Sequence, residues 1–183
     1  MREILYKGFH KDENGTEKIF VDGKWVKGEW VYGYYIRYGW THQEKDYIVP
    51  LYASALYAKE VIPSTVGQFT GLTDKNGKKI FDGDILKQKT TPEFAKVNSF
   101  KWEHYGIVRF GYYDWDEGEA GYASMGWYIE PLKSVSIKPK NYLVGHIQAG
   151  LNQSDILNKY YPMEVIGNIH DNPELLKGGE GDG

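Results

Sequence analysis

Three aspartates, Asp74, Asp82 and Asp84, lie close together in two Gly-containing stretches, Asp74-Lys-Asn-Gly77 and Phe81-Asp-Gly-Asp84. Clustered carboxylates are the raw material of a divalent-cation site or of paired acid–base catalysis. Turns, however, select Asp, Asn and Gly for backbone reasons alone. An Asp side chain in a turn accepts nearby amides, and no His lies close by in sequence. The turn reading is the stronger one. The densest acidic run is Asp114, Asp116, Glu117 and Glu119. An EF-hand loop wants Gly at its sixth position and Glu at its twelfth. Counted from Asp114, those places hold Glu119 and Met125, so the pattern fails. A solvated loop between strands is expected there, with weak cation binding as the alternative.

Other catalytic chemistries find little to work with. The five His residues (10, 42, 104, 146 and 170) form neither a His-x-x-x-His pair nor a His-Glu-x-x-His motif. With no Cys there is no disulfide and no thiolate zinc site. No Gly-x-Ser-x-Gly elbow, phosphate loop or dinucleotide fingerprint occurs. The residue types point to no catalytic site, no metal and no cofactor, and an enzyme is the third-ranked reading.

Binding chemistry has more support. The chain carries 16 Tyr, 7 Phe and 6 Trp. Tyr and Trp bury large area at little entropic cost and concentrate at protein interfaces. Consecutive residues on a strand point to opposite faces. Within the pairs Tyr34-Tyr35 and Tyr112-Tyr113, one side chain each is therefore expected outside the core, available to a partner or a second copy. Lys87, Lys89, Lys96 and Lys101 lie near Phe94, Phe100 and Trp102, a mixture that can hold single-stranded nucleic acid by stacking and charge. A net charge of −3 gives no general pull towards a polyanion or an anionic membrane, so nucleic acid ranks second.

The elements that must position these residues are mainly strands. At 183 residues, 41% hydrophobic and 26% charged, the chain is a folded globular one. Its aromatics suit a pleated, half-buried surface and its 22 Gly supply tight turns. Strands are expected at Arg2–Tyr6 and Ile19–Val21, then one or two over Trp25–Tyr38, broken at Gly28 or Gly33. More follow at Tyr47–Val49, Tyr57–Ile62, Ile85–Gln88, Tyr105–Gly111, Met125–Glu130 and Met163–Ile169, and weaker ones at Leu132–Ile137 and Tyr142–Ile147. Leu51–Lys59 is open between helix and strand. A helix capped by Asn152 or Ser154 would carry Ile156, Leu157, Tyr160 and Tyr161 on one face. Pro173 opens a last short helix. The tail 177–183 has nothing to bury and reads as disordered. No opening signal peptide and no apolar run of ~18 residues is present. A soluble cytoplasmic protein is the expectation.

One stretch is distinctive as a pattern. Gln68-Phe-Thr-Gly-Leu-Thr-Asp-Lys-Asn-Gly-Lys-Lys-Ile-Phe-Asp-Gly-Asp-Ile-Leu-Lys87, together with Glu164-Val-Ile-Gly-Asn-Ile-His-Asp-Asn-Pro-Glu-Leu-Leu176, resembles the YopX family of phage and prophage proteins. The opening Arg2-Glu-Ile-Leu and Glu29-Trp-Val-Tyr-Gly33 fit that resemblance, while 41–58 and 90–150 match no named pattern. The resemblance brings no catalytic residues, because the family has no established activity. The hairpin around Asp74–Gly77, feeding Ile85-Leu86 and paired with Ile107–Phe110, suggests by fold-level analogy a small SH3-like antiparallel barrel. The expected whole is mainly β with one or two short C-terminal helices. It comprises an N-terminal β region over 1–65, a YopX-like core over 66–176 and the tail. Its expected role is that of a non-catalytic accessory protein that binds itself or a phage or host protein.

Overall fold

The computed structural model describes residues 4–39, 43–51, 53–89, 103–114, 123–134 and 162–176, with the backbone alone at 103–104, 113–114, 123–124, 131 and 133–134. Among the described residues eleven strands follow one another: β1 (Tyr6–Lys11), β2 (Glu17–Val21), β3 (Lys24–Tyr38), β4 (Lys45–Pro50), β5 (Lys59–Val61), β6 (Gly67–Thr73), β7 (Lys79–Phe81), β8 (Asp84–Lys89), β9 (Glu103–Asp114), β10 (Ala123–Ser134) and β11 (Met163–Asn168). They form a seven-stranded sheet in the order β5-β4-β3-β1-β6-β7, with β2 also on β3, and a four-stranded sheet in the order β10-β9-β8-β11. The protein is mainly β and its ladders are antiparallel. No helix among the described residues is long and apolar enough to cross a membrane.

The chain divides into two compact units, Met1–Gly71 with His170–Glu174, and Leu72–Ile169 with Leu175–Gly183. In the first unit β3 is the organising element. It pairs with β2 over 24–28, with β1 over 28–33 and with β4 over 33–38. The expected break at Gly28 or Gly33 does not occur. Both glycines stay in the strand because neighbouring backbone presses on them: a Cβ at Gly28 would meet the His10 carbonyl, and one at Gly33 the Val49 carbonyl. Period-2 alternation then splits β3 into two faces. Val31 and Tyr35 join Ile48, Val61, Tyr6 and Val66 on one, and Val26 and Trp30 join Phe9, Ile19, Val21 and Ile62 on the other.

This sheet curls. The Ile62 amide donates to the Phe9 carbonyl at 2.9 Å, the Phe9 amide donates to Thr65 Oγ1 at 2.8 Å, and His10 Nδ1 lies 2.7 Å from the Glu60 carbonyl. The chain leaving β5 thus touches β1, yet no ladder joins the two strands. Neither sheet closes, so the expected SH3-like barrel is replaced by two open sheets. The expected pairing of Ile85 with Ile107 is present within the second.

In the second unit Ile80, Leu86, Val108, Trp127, Ile129 and Met163 form the core. β9 and β10 make a long hairpin whose register shifts between Pro131 and Lys133. Pro131 sits on the edge strand of that order, where a missing amide costs no ladder bond on its outer side. Of the expected strand at Leu132–Ile137, residues 132–134 are the end of β10, and 135–137 lie outside the described residues.

The open question over Leu51–Lys59 resolves into one 3-10 turn, Ala55–Tyr57, followed by β5. The final helix begins at Pro173 as expected but is a four-residue 3-10 turn, Pro173–Leu176. The expected helix over 152–161, the weak strand at Tyr142–Ile147 and the tail 177–183 lie outside the described residues.

Candidate functional site

Two carboxylates of the signature segment, Asp74 and Asp84, accept backbone amides. Asp74 is 6% exposed. Its Oδ1 accepts the amides of Asn76 at 2.8 Å and Lys78 at 2.9 Å, and its Oδ2 accepts the Val165 amide at 3.1 Å. Gly77, at φ 80°, lets the turn close with its amide on the Asp74 carbonyl. Burial alone opposes ionisation of Asp74, but the amides of Val165, Lys78 and Asn76 together outweigh it and hold the carboxyl below its ordinary range. Lys75 adds a second tie, its amide donating to the Met163 carbonyl at 2.9 Å and its ammonium standing 2.6 Å from Glu164. Asp84 is buried and accepts the Phe81 amide at 2.8 Å, closing the next turn. At that turn the Gly83 amide donates to Val108 and the Gly83 carbonyl accepts from Ile169. The 74–87 part of one motif and the 164–169 part of the other are thus stitched together through β8 and β11.

The lysines and the acidic run are only partly visible. Lys87 Nζ sits 5.3 Å from the Tyr105 ring centre, in a cross-strand row with Tyr105 and Glu164. Lys89 is exposed at the end of β8. Lys96 and Lys101, with the aromatics Phe94, Phe100 and Trp102, lie outside the described residues. So do Asp116, Glu117 and Glu119; Asp114 ends β9, with its backbone alone described. Among the described residues no group of three or more His, Asp or Glu is placed to hold a metal ion.

Sequence reasoning missed a polar cluster in the first unit. The segment His170–Glu174 returns there as a strap: the Phe20 amide donates to the His170 carbonyl at 2.8 Å, and Trp30 Nε1 donates to Asp171 Oδ1 at 3.1 Å. His170 Nε2 lies 3.1 Å from the Ser64 carbonyl, and Lys7 Nζ lies 4.9 Å from the centre of the Trp30 ring. Burial pushes the His170 imidazole below its ordinary 6.5, and the charge of Lys7 acts in the same direction. Nothing local in Ile169-His-Asp-Asn172 announces these partners, which are over a hundred residues away along the chain.

Tyr34 and Tyr35 divide as strand geometry requires. Tyr34 is 56% exposed, whereas Tyr35 turns inward and donates from its hydroxyl to Asp46 Oδ1 at 2.7 Å. Arg37 completes that group, with Nε 2.8 Å from Asp46 Oδ1, and its hydrogen bond holds the Asp46 carboxyl below the ordinary range. Burial and the Asp46 bond raise the Tyr35 phenol. Tyr35 is therefore a structural residue rather than a contact surface. On Tyr34's side of β3, Tyr32, Ile36 and Tyr38 are exposed as well. In the second unit Tyr112 is 75% exposed, opposite the exposed Met125. Tyr113 pairs with Ser124 through its backbone, and its side chain lies outside the described residues.

No curated protein matches this chain, and no solved structure matches it. One family model does, that of the "YopX protein", over residues 26–177. The match takes in β3, the Asp74 and Asp84 turns, β11 and the strap, so it spans most of the molecule. On that match, the chain belongs to the YopX family.

Proposed function

We propose that the protein works by binding rather than catalysis, as a phage- or prophage-type accessory protein of the cytoplasm that associates with copies of itself. One observation carries this reading. The acidic residues that would suit chemistry (Asp74, Asp84 and Asp46) are spent on backbone amides or on Arg37, while large aromatic side chains stay exposed on strand faces. Buried carboxylates with several donors are already satisfied, whereas exposed aromatic area gains by being covered. Native mass spectrometry of the intact protein tests the reading: oligomers without added mass support it, and a monomer carrying metal or oligonucleotide overturns it.

A second reading, a nucleic-acid-binding β protein, draws on Lys87 lying over Tyr105 with Lys89 two residues on. Stacking rings beside cations are how single strands are held. Fluorescence anisotropy with a labelled DNA oligonucleotide separates the two. Affinity that falls steeply with salt and weakens in Lys87→Ala with Lys89→Ala would favour nucleic acid.

A further inference from the structure

The outer side of β3 is one continuous apolar face with two fates. At Val26 and Trp30 it is covered from within the first unit by Phe9, Ile19, Val21, Ile62 and the His170-Asp171 strap. Beyond Trp30 the same face carries Tyr32 at 47%, Tyr34 at 56%, Ile36 at 40% and Tyr38 at 63% exposure. Every second residue of one strand presents a large side chain, so the four share one face of β3. Its neighbours across the sheet are Tyr47 and Val49 of β4 and Glu60 of β5.

We propose that this row, from Tyr32 to Tyr38, is where a second copy of the chain packs, face against face about a two-fold axis. The proposal rests on the self-association reading and names its surface. Charge selects the occupant. Among the described residues the charged groups on this face are Lys7, buried across from Tyr32 with its ammonium 4.9 Å from the centre of the Trp30 ring, and Lys45 and Glu60, paired at 2.8 Å. With Lys7 buried and Lys45 held by an acid, the row suits neither a polyanion nor an anionic membrane, both of which need clustered exposed cations. A two-fold contact instead brings this paired rim against its own copy, where Lys45 and Glu60 can exchange partners without like-charge repulsion. Residues 177–183, Lys-Gly-Gly-Glu-Gly-Asp-Gly, carry no apolar side chain to lay on it.

Area sets the strength. Taking about 200 Å² for a whole aromatic side chain, the four exposed residues offer roughly 400 Å² per copy, about half that of a standard stable interface. Association is therefore weak and concentration-dependent. The β9–β10 hairpin exposes Phe110, Tyr112 and Met125, three large side chains against the four of the β3 row, and serves as the control.

The test is sedimentation equilibrium from about 1 to 300 μM, a range suited to weak interfaces, on the intact protein. The variants are Tyr34→Ser with Tyr38→Ser, Ile36→Lys, and Tyr112→Ser as control, with circular dichroism confirming that each is folded. Reversible dimers in the wild type and in Tyr112→Ser, with Kd raised about ten-fold or more in both β3 variants, are the expected result. If the wild type dimerises and the β3 variants dimerise equally well, this face is overturned while self-association stands. If the wild type stays monomeric throughout, both are overturned.

Discussion

The Asp74 carboxylate reaches across 91 residues of sequence to accept the amide of Val165 at 3.1 Å. The same side chain closes its own turn through Asn76 and Lys78, so one residue shapes a hairpin and ties it to the last strand. Replacing it by Ala leaves three donors at a buried site without their acceptor. A loss of about 2–4 kcal/mol in unfolding free energy is expected, and Asp74→Asn, which keeps an acceptor oxygen, should lose less. Urea denaturation monitored by tryptophan fluorescence reads both. A loss under about 0.5 kcal/mol for Asp74→Ala would show the tie to be dispensable.

Acid and near-neutral pH act on different residues. Asp74 and Asp46 have folded-state pKa values below their ordinary 3.8, so the stability they contribute is complete above that value and disappears as pH falls through the lower folded value. His170 sits below its ordinary 6.5, so the unfolded chain binds the extra proton first. Stability linked to His170 is full above pH 6.5 and declines as pH falls from there towards the folded value. Thermal unfolding across this range should show a slope that His170→Gln flattens while leaving the acid limb below pH 4 unchanged. An identical slope in the variant would remove His170 from the account.

Gly33 lies where β1 ends its pairing with β3 and β4 begins. A Cβ there would run into the Val49 carbonyl, and backbone of a packed ladder cannot step aside as a flexible side chain can. Gly33→Ala should therefore cost about 2 kcal/mol or more, from overpacking. Gly23→Ala, where no atom lies within 4 Å of the added Cβ, should cost only the left-handed backbone term of about 1–2 kcal/mol. Equal costs at the two positions would refute the crowding argument.

The strap makes a prediction that amide exchange can read. Ending the chain after Ile169 removes the acceptor of the Phe20 amide and the partner of Trp30 Nε1. Phe20 protection should fall by about ten-fold or more, the equivalent of one lost hydrogen bond of roughly 1.4 kcal/mol. The β8–β9 amides of the second unit should keep theirs. Unchanged exchange at Phe20 would mean that the strap adds nothing to β2.

What the chain revealed before folding was whatever depends on near neighbours. The Asp74–Gly77 and Asp82-Gly83 reversals are legible because Asx acceptance and left-handed glycine are decided within four residues. The outward Tyr34 and inward Tyr35 follow from strand alternation. The uninterrupted course of β3 was not legible. A glycine in a strand reads as a break, and only tertiary crowding by the His10 and Val49 carbonyls turns it into a requirement. The openness of the sheets and the return of His170 to Trp30 and Ser64 depend on pairings over long stretches of chain, which no local pattern encodes. Of the surface residues, the row on β3 was half visible. Tyr34 was named for its neighbour Tyr35, whereas Tyr32, Ile36 and Tyr38 required knowing that one strand runs through all of them.

Because residues 170–174 complete a unit that otherwise ends at Gly71, the order of synthesis matters to it. On the order of 100 residues separate those two points, a wait of roughly 5–20 s at the usual pace of translation. During that interval Trp30 and Phe20 have emerged from the ribosome without the segment that caps them. The segment 1–71 of a nascent chain is thus without its strap until residues 170–174 have been made.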